Sequence, residues 1–211
     1  MKHQFLLFLV TLDNWFDHLI DYFFDRKFHL DTLTKVNFSQ RLIEVPNRIN
    51  AKQYQGTRWR VFNRIMKNLP IQYRDYNFID TGSGKGKALI LASGFNFKAI
   101  KGIELFKPLY DISCQNLRKM NLNHRIQIEH GDVLNFTPPK GPNLYYLYNP
   151  FNENVLKDFF TNLKKNQTLG SRDVIIYLNP RYHSTLTKLG FQYQVLLNNL
   201  NYNKVVLIYT M

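Results

Sequence analysis

The chain is predicted to be an α/β protein. Its core should be a doubly wound, mainly parallel seven-strand sheet that ends in an antiparallel C-terminal hairpin. A helical extension should precede that core. Three observations predict this. From Asp75 onward, short apolar runs alternate with amphipathic helical segments, the pattern of successive β-α units. A glycine-rich loop follows the first of those runs directly. The last two apolar runs are separated only by Asn198–Asn203, a hairpin-like connection.

Each element has its own justification. Phe5, Phe8, Leu9, Leu12, Trp15, Phe16, Leu19, Ile20, Phe23 and Phe24 recur at three- and four-residue steps, which predicts a helix over residues 4–26. Asp13, Asp17, Asp21 and Asp25 lie four apart on its other side. Such an acidic face opposes an anionic bilayer, where Lys and Arg would serve. No small-x-small cleavage site follows Val10, so a signal peptide fits poorly. The helix is expected to dock on the body or on a second copy in a homodimer. Trp59, Phe62, Ile65, Met66 and Leu69 form one side of a helix over 58–69, stopped by Pro70. Strands are expected at 76–81, 99–104, 125–130, 144–148 and 174–178. Helices are expected at 85–93, from Pro108 to about 120, at 155–164 and at 184–189. The fourth strand lacks polar alternation, as expected when both sheet faces are covered. Strands at 191–197 and 204–209 close the chain. At 211 residues the length suits one domain plus an extension, divided as residues 1–52 and 53–211.

Composition narrows the function classes. Apolar residues make up 45% of the chain, with 17 Phe and 13 Tyr, enough for a substantial core and unlike a disordered chain. The single cysteine, Cys114, excludes an intramolecular disulfide framework and a Cys-rich zinc site, and it reads as a packing residue. The six histidines show no metal-ligand spacing, so no metal is expected. No apolar stretch is long enough to span a bilayer, and a cytoplasmic protein is expected. The net charge is +13. Residues 1–31 carry −2, which leaves +15 on the rest, and residues 35–74 hold nine bases against Glu44 alone. That segment suits nucleic acid or an acidic protein surface. AT-biased coding produces Lys-rich surfaces without any partner.

The glycine loop carries the most chemistry. Asp80-Thr81-Gly82-Ser83-Gly84-Lys85-Gly86-Lys87 lies between the first strand and the helix after it. A nucleotide-triphosphate loop needs Gly at position 81 and Ser or Thr at position 88, and finds Thr81 and Ala88. A dinucleotide loop wants GxGxxG and finds Lys87 in place of the third glycine. Asp80 opens the loop, where a pyrophosphate would be repelled but an amino group or cationic centre would be welcome. Glu104 ends the second strand, where an acid accepts both ribose hydroxyls. Asp132, after the third strand, suits an exocyclic amine, although Gly131-Asp132 is also an ordinary turn. Asn149-Pro150-Phe151 ends the fourth strand. Together these residues mark the carboxyl ends of successive strands, where ligands bind in such sheets.

At these residues the chain resembles the class I, Rossmann-like S-adenosylmethionine-dependent methyltransferases. The likeness runs from about Tyr54 to Tyr209. The family's glycine motif is matched by Asp80, Gly82, Ser83, Gly84 and Gly86. Its ribose acid is matched by Glu104 and its adenine acid by Asp132. Its fourth-strand motif looks like Asn149-Pro150-Phe151. In texture the chain is similar to uncharacterised bacterial members and, more distantly, to seven-strand protein lysine methyltransferases. It departs from the pattern at Thr81, which stands for a leucine. It also carries one proline where N-methyltransferases acting on amides or adenine typically carry two. The resemblance implies S-adenosyl-L-methionine as cofactor and methyl transfer to a nucleophile, nitrogen by preference, of a protein or other macromolecule. An RNA or DNA acceptor held by residues 35–74, or a non-catalytic scaffold, are the alternatives. For a nitrogen acceptor, the Asn149 side-chain oxygen and the Pro150 carbonyl would receive N–H groups, and Phe151 would stack on or wall the target. Tyr54, Thr57 and Trp59 would close the pocket. His183 is a lesser candidate for a base.

Overall fold

The computed structural model describes residues 2–34, 36, 56–166, 168–199 and 204–210. Tyr54, the proposed boundary at 52/53 and most of the basic 35–57 stretch lie outside the described residues.

Seven strands form one sheet in the order β3-β2-β1-β4-β5-β7-β6. They are β1 (Asn77–Thr81), β2 (Ala99–Glu104), β3 (Ile126–His130), β4 (Asn143–Tyr148), β5 (Val174–Leu178), β6 (Gln192–Asn199) and β7 (Lys204–Thr210). The first five are mutually parallel. β7 runs antiparallel between β5 and β6. The order reverses between β1 and β4, so their carboxyl ends frame the switch point where such sheets bind ligands. Among the described residues, six α-helices accompany the sheet: α1 (Lys2–Phe28), α2 (Trp59–Lys67), α3 (Lys87–Ala92), α4 (Lys107–Lys119), α5 (Glu153–Lys165) and α6 (His183–Lys188).

Side-chain alternation divides the strand residues between two cores. Phe78, Leu144, Tyr146, Ile176 and Ile208 face Phe62, Ile65 and Met66 of α2 and the apolar side of α3. Ile79, Tyr145, Ile175, Tyr177 and Tyr209 face Leu156, Phe159, Phe160 and Leu163 of α5. β1 and β5 are buried over their full length, which explains the unbroken apolar run of β5. Asn152 caps α5 by accepting the Val155 N–H at 3.0 Å. α3 begins two residues later than periodicity suggests, because Gly86 before it is left-handed (φ 80°).

The helix expected to dock on the body or on a second copy meets the body largely through its acidic side. Of its apolar stripe, Phe24 packs on the core. Asp17, Asp21 and Asp25 are buried, while Trp15 is 57%, Phe16 51% and Phe23 60% exposed. The inward acidic face meets cations. Arg60 Nη1 reaches Asp13 at 2.7 Å and Asp17 at 3.0 Å. Lys87 Nζ, itself 1% exposed, reaches Asp21 at 2.6 Å. Asp21 also accepts the Trp59 backbone N–H at 3.1 Å. Two lysines and two arginines lacking partners would cost more to bury or crowd than apolar rings cost to expose, and so the aspartates turn inward. Part of the basic 35–74 segment, Arg58 and Arg60, is thereby neutralised within the fold.

Candidate functional site at the carboxyl ends of β1 and β4

The glycine loop leaves β1 and immediately touches the end of β4. Gly82 has φ 83°, and a Cβ there would collide with the Pro150 ring. The glycine is thus required by close approach as well as by backbone conformation. Gly86 answers to a different neighbour, since a Cβ there would strike the Ser113 hydroxyl of α4. It lets α3 start against α4. The loop is further tied to β2, where Ile103 O accepts the Gly82 and Ser83 N–H groups at 2.9 and 3.0 Å.

Asp80 and Glu104 come together as the adjacency of β1 and β2 requires. Asp80 is 5% exposed, and burial, aided by the neighbouring Glu104 charge, pushes its carboxyl up to about 8. Burial also raises Glu104, opposed by backbone N–H groups. Gly84 N–H donates to Glu104 Oε2 at 2.7 Å, and Phe106 N–H donates to Oε1 at 2.8 Å. Asp132 stands after β3, and its Oδ1 accepts the Leu134 N–H at 3.0 Å. It therefore caps a short turn, as an ordinary Gly-Asp turn would.

Asn149 is left-handed at φ 46°. So is Asn179 (φ 49°), which begins the corresponding Asn-Pro after β5. Ending a strand accounts for both backbones, but it does not account for the Asn149 side chain. Its Oδ1 is buried and has no hydrogen-bond partner, and the Ser83 hydroxyl of the glycine loop is in the same state. Native proteins rarely leave such acceptors unpaired, and a missing ligand is one explanation. Phe151, by contrast, is only 9% exposed and packs with Phe159, ring centroids 6.4 Å apart. It braces the site from the α5-side core and does not offer a stacking face.

The remaining predicted residues fall nearby or apart. Thr57 is buried, with its hydroxyl 3.1 Å from the Tyr146 hydroxyl on β4. Trp59 opens α2 and is 38% exposed. His183 lies away from the loop, its Nδ1 2.8 Å from the Tyr209 hydroxyl. Among the described residues, no group of three or more His, Cys, Asp or Glu side chains could hold a metal. Also among them, no helix is long and apolar enough to cross a membrane.

Sequence reasoning missed what the two loop lysines do. Lys85 Nζ, fully buried, binds Asp31 at 2.6 Å and the Thr34 carbonyl at 2.9 Å. Asn116 of α4 cements this corner by donating to both the Asp31 and Lys85 carbonyls at 3.0 Å. Lys87 holds Asp21, and burial nevertheless lowers its pKa. The usable signal was the four-residue repeat of aspartates in α1, read beside Lys85-x-Lys87.

No family model matches this chain, and no curated protein does. Solved structures do. Precorrin-6y C5,15-methyltransferase from Geobacter metallireducens is 19% identical, with a TM-score of 0.56 over 74% of this chain and 89% of that one. An RNA methyltransferase from Salinibacter ruber, in complex with S-adenosyl-L-homocysteine, is 17% identical with a TM-score of 0.54, over 74% and 93%. Precorrin-8w decarboxylase from Methanobacterium thermoautotrophicum is 20% identical with a TM-score of 0.58, over 75% and 92%. The chain has the fold of these proteins, the Rossmann-like sheet with its antiparallel C-terminal hairpin.

Proposed function

We propose that the chain is an S-adenosyl-L-methionine-dependent methyltransferase acting on a nitrogen of a protein or other macromolecule. The observation that carries this reading is the buried, partnerless Asn149 Oδ1, held against the glycine loop through the Pro150–Gly82 contact. The residues present fit the cofactor. Asp80 is a buried carboxyl whose ionised form lacks a cation, which suits the methionine amino group and the positive sulfur. Glu104 accepts the Gly84 and Phe106 N–H groups on its two oxygens, and the Leu105 N–H as well. A carboxylate has about four lone-pair sites, so capacity for a ribose hydroxyl remains. Gly82, Ser83, Gly84 and Gly86 line the approach, and Asp132 is assigned the adenine amine.

When bound, the cofactor supplies an electrophilic methyl group on a sulfonium. The protein's task is then to hold a nucleophile in line. Asn149 Oδ1 accepts an N–H of the incoming amine, and the Pro150 carbonyl accepts a second. That pair of bonds orients the nitrogen lone pair. Thr57, Trp59 and Tyr54 are assigned to closing the acceptor side. Fold neighbours are named for precorrin and for RNA, so the fold by itself does not select an acceptor. An RNA or DNA acceptor is the second reading, favoured by Arg64 and Lys67 of α2, which form no ion pair with a carboxylate among the described residues. A non-catalytic scaffold has no use for an unpaired acceptor beside the loop. The homodimer and the cytoplasmic setting belong to the same proposal, and the exposed Trp15, Phe16 and Phe23 face of α1 is the surface a second copy would use.

Asn149→Ala tests the assignment. It is expected to bind S-adenosyl-L-methionine as the parent does. Its labelled-methyl transfer to protein or RNA fractions of a cell extract should fall about 100-fold. Unchanged transfer would reduce Asn149 to a strand terminator.

A further inference from the structure

A cavity lies on the α2 side of the sheet, away from the glycine loop. It has a volume of about 440 Å³ and opens between α1, α2 and the ends of β5, β6 and β7, a size within the usual range for ligand pockets. Its floor is apolar, formed by Leu178, Leu197 and Val206. Trp59 stands at one wall, and Arg64 and Lys67 line the same helix. Two carboxylates, Asp13 and Asp17, also line the cavity, but Arg60 pairs with both. Arg64 and Lys67 are exposed, and no carboxylate among the described residues forms an ion pair with either. They are three apart on α2, hence neighbours on one face.

The cavity is placed to serve the acceptor end of the site. Leu178 is the register partner of Tyr148 on β4, and Tyr148 immediately precedes Asn149. Adjacent strands lie about 4.8 Å apart, so the backbone at the Leu178 floor is one strand away from the end of β4 that leads into Asn149-Pro150.

We infer that this cavity binds a single-stranded nucleic acid segment, with a base on the Trp59 wall and flanking phosphates on Arg64 and Lys67. An apolar floor with an indole suits any base face, and two cations at helical spacing suit a backbone charged at every unit. The inference deepens the methyltransferase reading, on which it rests only for the claim that the bound strand is the methyl acceptor. Binding itself is tested without that claim.

The test is fluorescence anisotropy with a labelled 12-nucleotide mixed-sequence RNA, titrated across a salt series. A fluorescent glutamate-rich peptide serves as the competing class. Arg64→Gln/Lys67→Gln is expected to weaken RNA binding at least tenfold. It should also reduce the slope of log affinity against log salt by about 1.4, since each single-strand phosphate contact contributes about 0.7. Trp59→Leu is expected to weaken binding about fivefold or more with the slope unchanged. Arg74→Gln, which removes an exposed cation outside the cavity, should do neither. All variants are compared at matched melting temperature, and each is titrated with S-adenosyl-L-methionine. Parent-like RNA binding by the double variant, an equal loss from Arg74→Gln, or the same variant dependence for the glutamate peptide would overturn the inference. If the variants bind the cofactor normally while the parent binds no RNA, the cavity assignment fails and the methyltransferase reading stands. If the parent binds RNA as described but no S-adenosyl-L-methionine, the reverse holds.

Discussion

Burial holds the Asp80 carboxyl at a pKa of about 8, with the Glu104 charge adding to the shift. The unfolded chain returns this group to the ordinary carboxylate range. A carboxyl raised on folding stabilises fully below its unfolded pKa, and that contribution is lost as pH rises through the folded value. Asp80 therefore erodes stability between about pH 4 and pH 8. Asp80→Asn is expected to raise the melting temperature at pH 8 by about 2–4 °C or more and to flatten its pH dependence. The same substitution should abolish cofactor binding, because only the ionised carboxylate answers a cation. In the parent protein, affinity for S-adenosyl-L-methionine should weaken by up to about tenfold per pH unit below about pH 8. Thermal melts and calorimetry over one pH series check both halves. A parent affinity independent of pH would remove Asp80 from the cation's surroundings. Gly82 shows how far residue-level reading reached. The sequence marked it as a ligand-approach glycine, yet its left-handed backbone and its contact with Pro150 tie two motifs that lie 68 positions apart. Only the strand order β1-β4 makes them neighbours.

α1 belongs to the next scale up. Its hydrophobic period was legible, and its bounds agree within two residues. Which face turns inward was not legible, because periodicity defines two faces without saying what each will meet. The answer lay in side chains from distant segments: Arg58 and Arg60 before β1, and Lys85 and Lys87 in the glycine loop. In the sequence only Lys87 stands out, as a departure from the dinucleotide pattern. Asp21 is the hub, since it meets Lys87, Arg58 and the Trp59 N–H together. Removing it strands a lysine that is 1% exposed, whereas removing Lys87 leaves Asp21 two other partners. Asp21→Ala is therefore expected to destabilise the fold by about 3 kcal/mol, the scale of a broken buried pair. Lys87→Met should cost clearly less. Urea denaturation of the two variants measures the order, and the reverse order would show that Lys87, and not Asp21, organises the contact. The same wiring joins α1 and the turn after it to the α3 end of the glycine loop, through Asp21–Lys87 and Asp31–Lys85.

At the scale of the whole molecule, the sheet was the most legible part. Parallel strands covered on both faces produce uninterrupted apolar runs, and β2 and β5 have the bounds predicted for them. Helix caps and breakers placed the rest to within two residues. The site was legible as a set of strand ends but not as a packed object. Nothing in Asn149-Pro150-Phe151 says that Phe151 enters the α5-side core while the Asn149 oxygen stays buried and unpartnered. The fold joins these pieces at one switch point, with the glycine loop, Asp80 and Glu104 on one side and Asn149 on the other. The central claim is that this point holds S-adenosyl-L-methionine. Calorimetric titration of the whole chain with that compound, beside NAD and ATP, tests it most directly. Saturable binding of S-adenosyl-L-methionine alone is the predicted result. Binding of NAD or ATP instead, or no binding by folded protein, would contradict it.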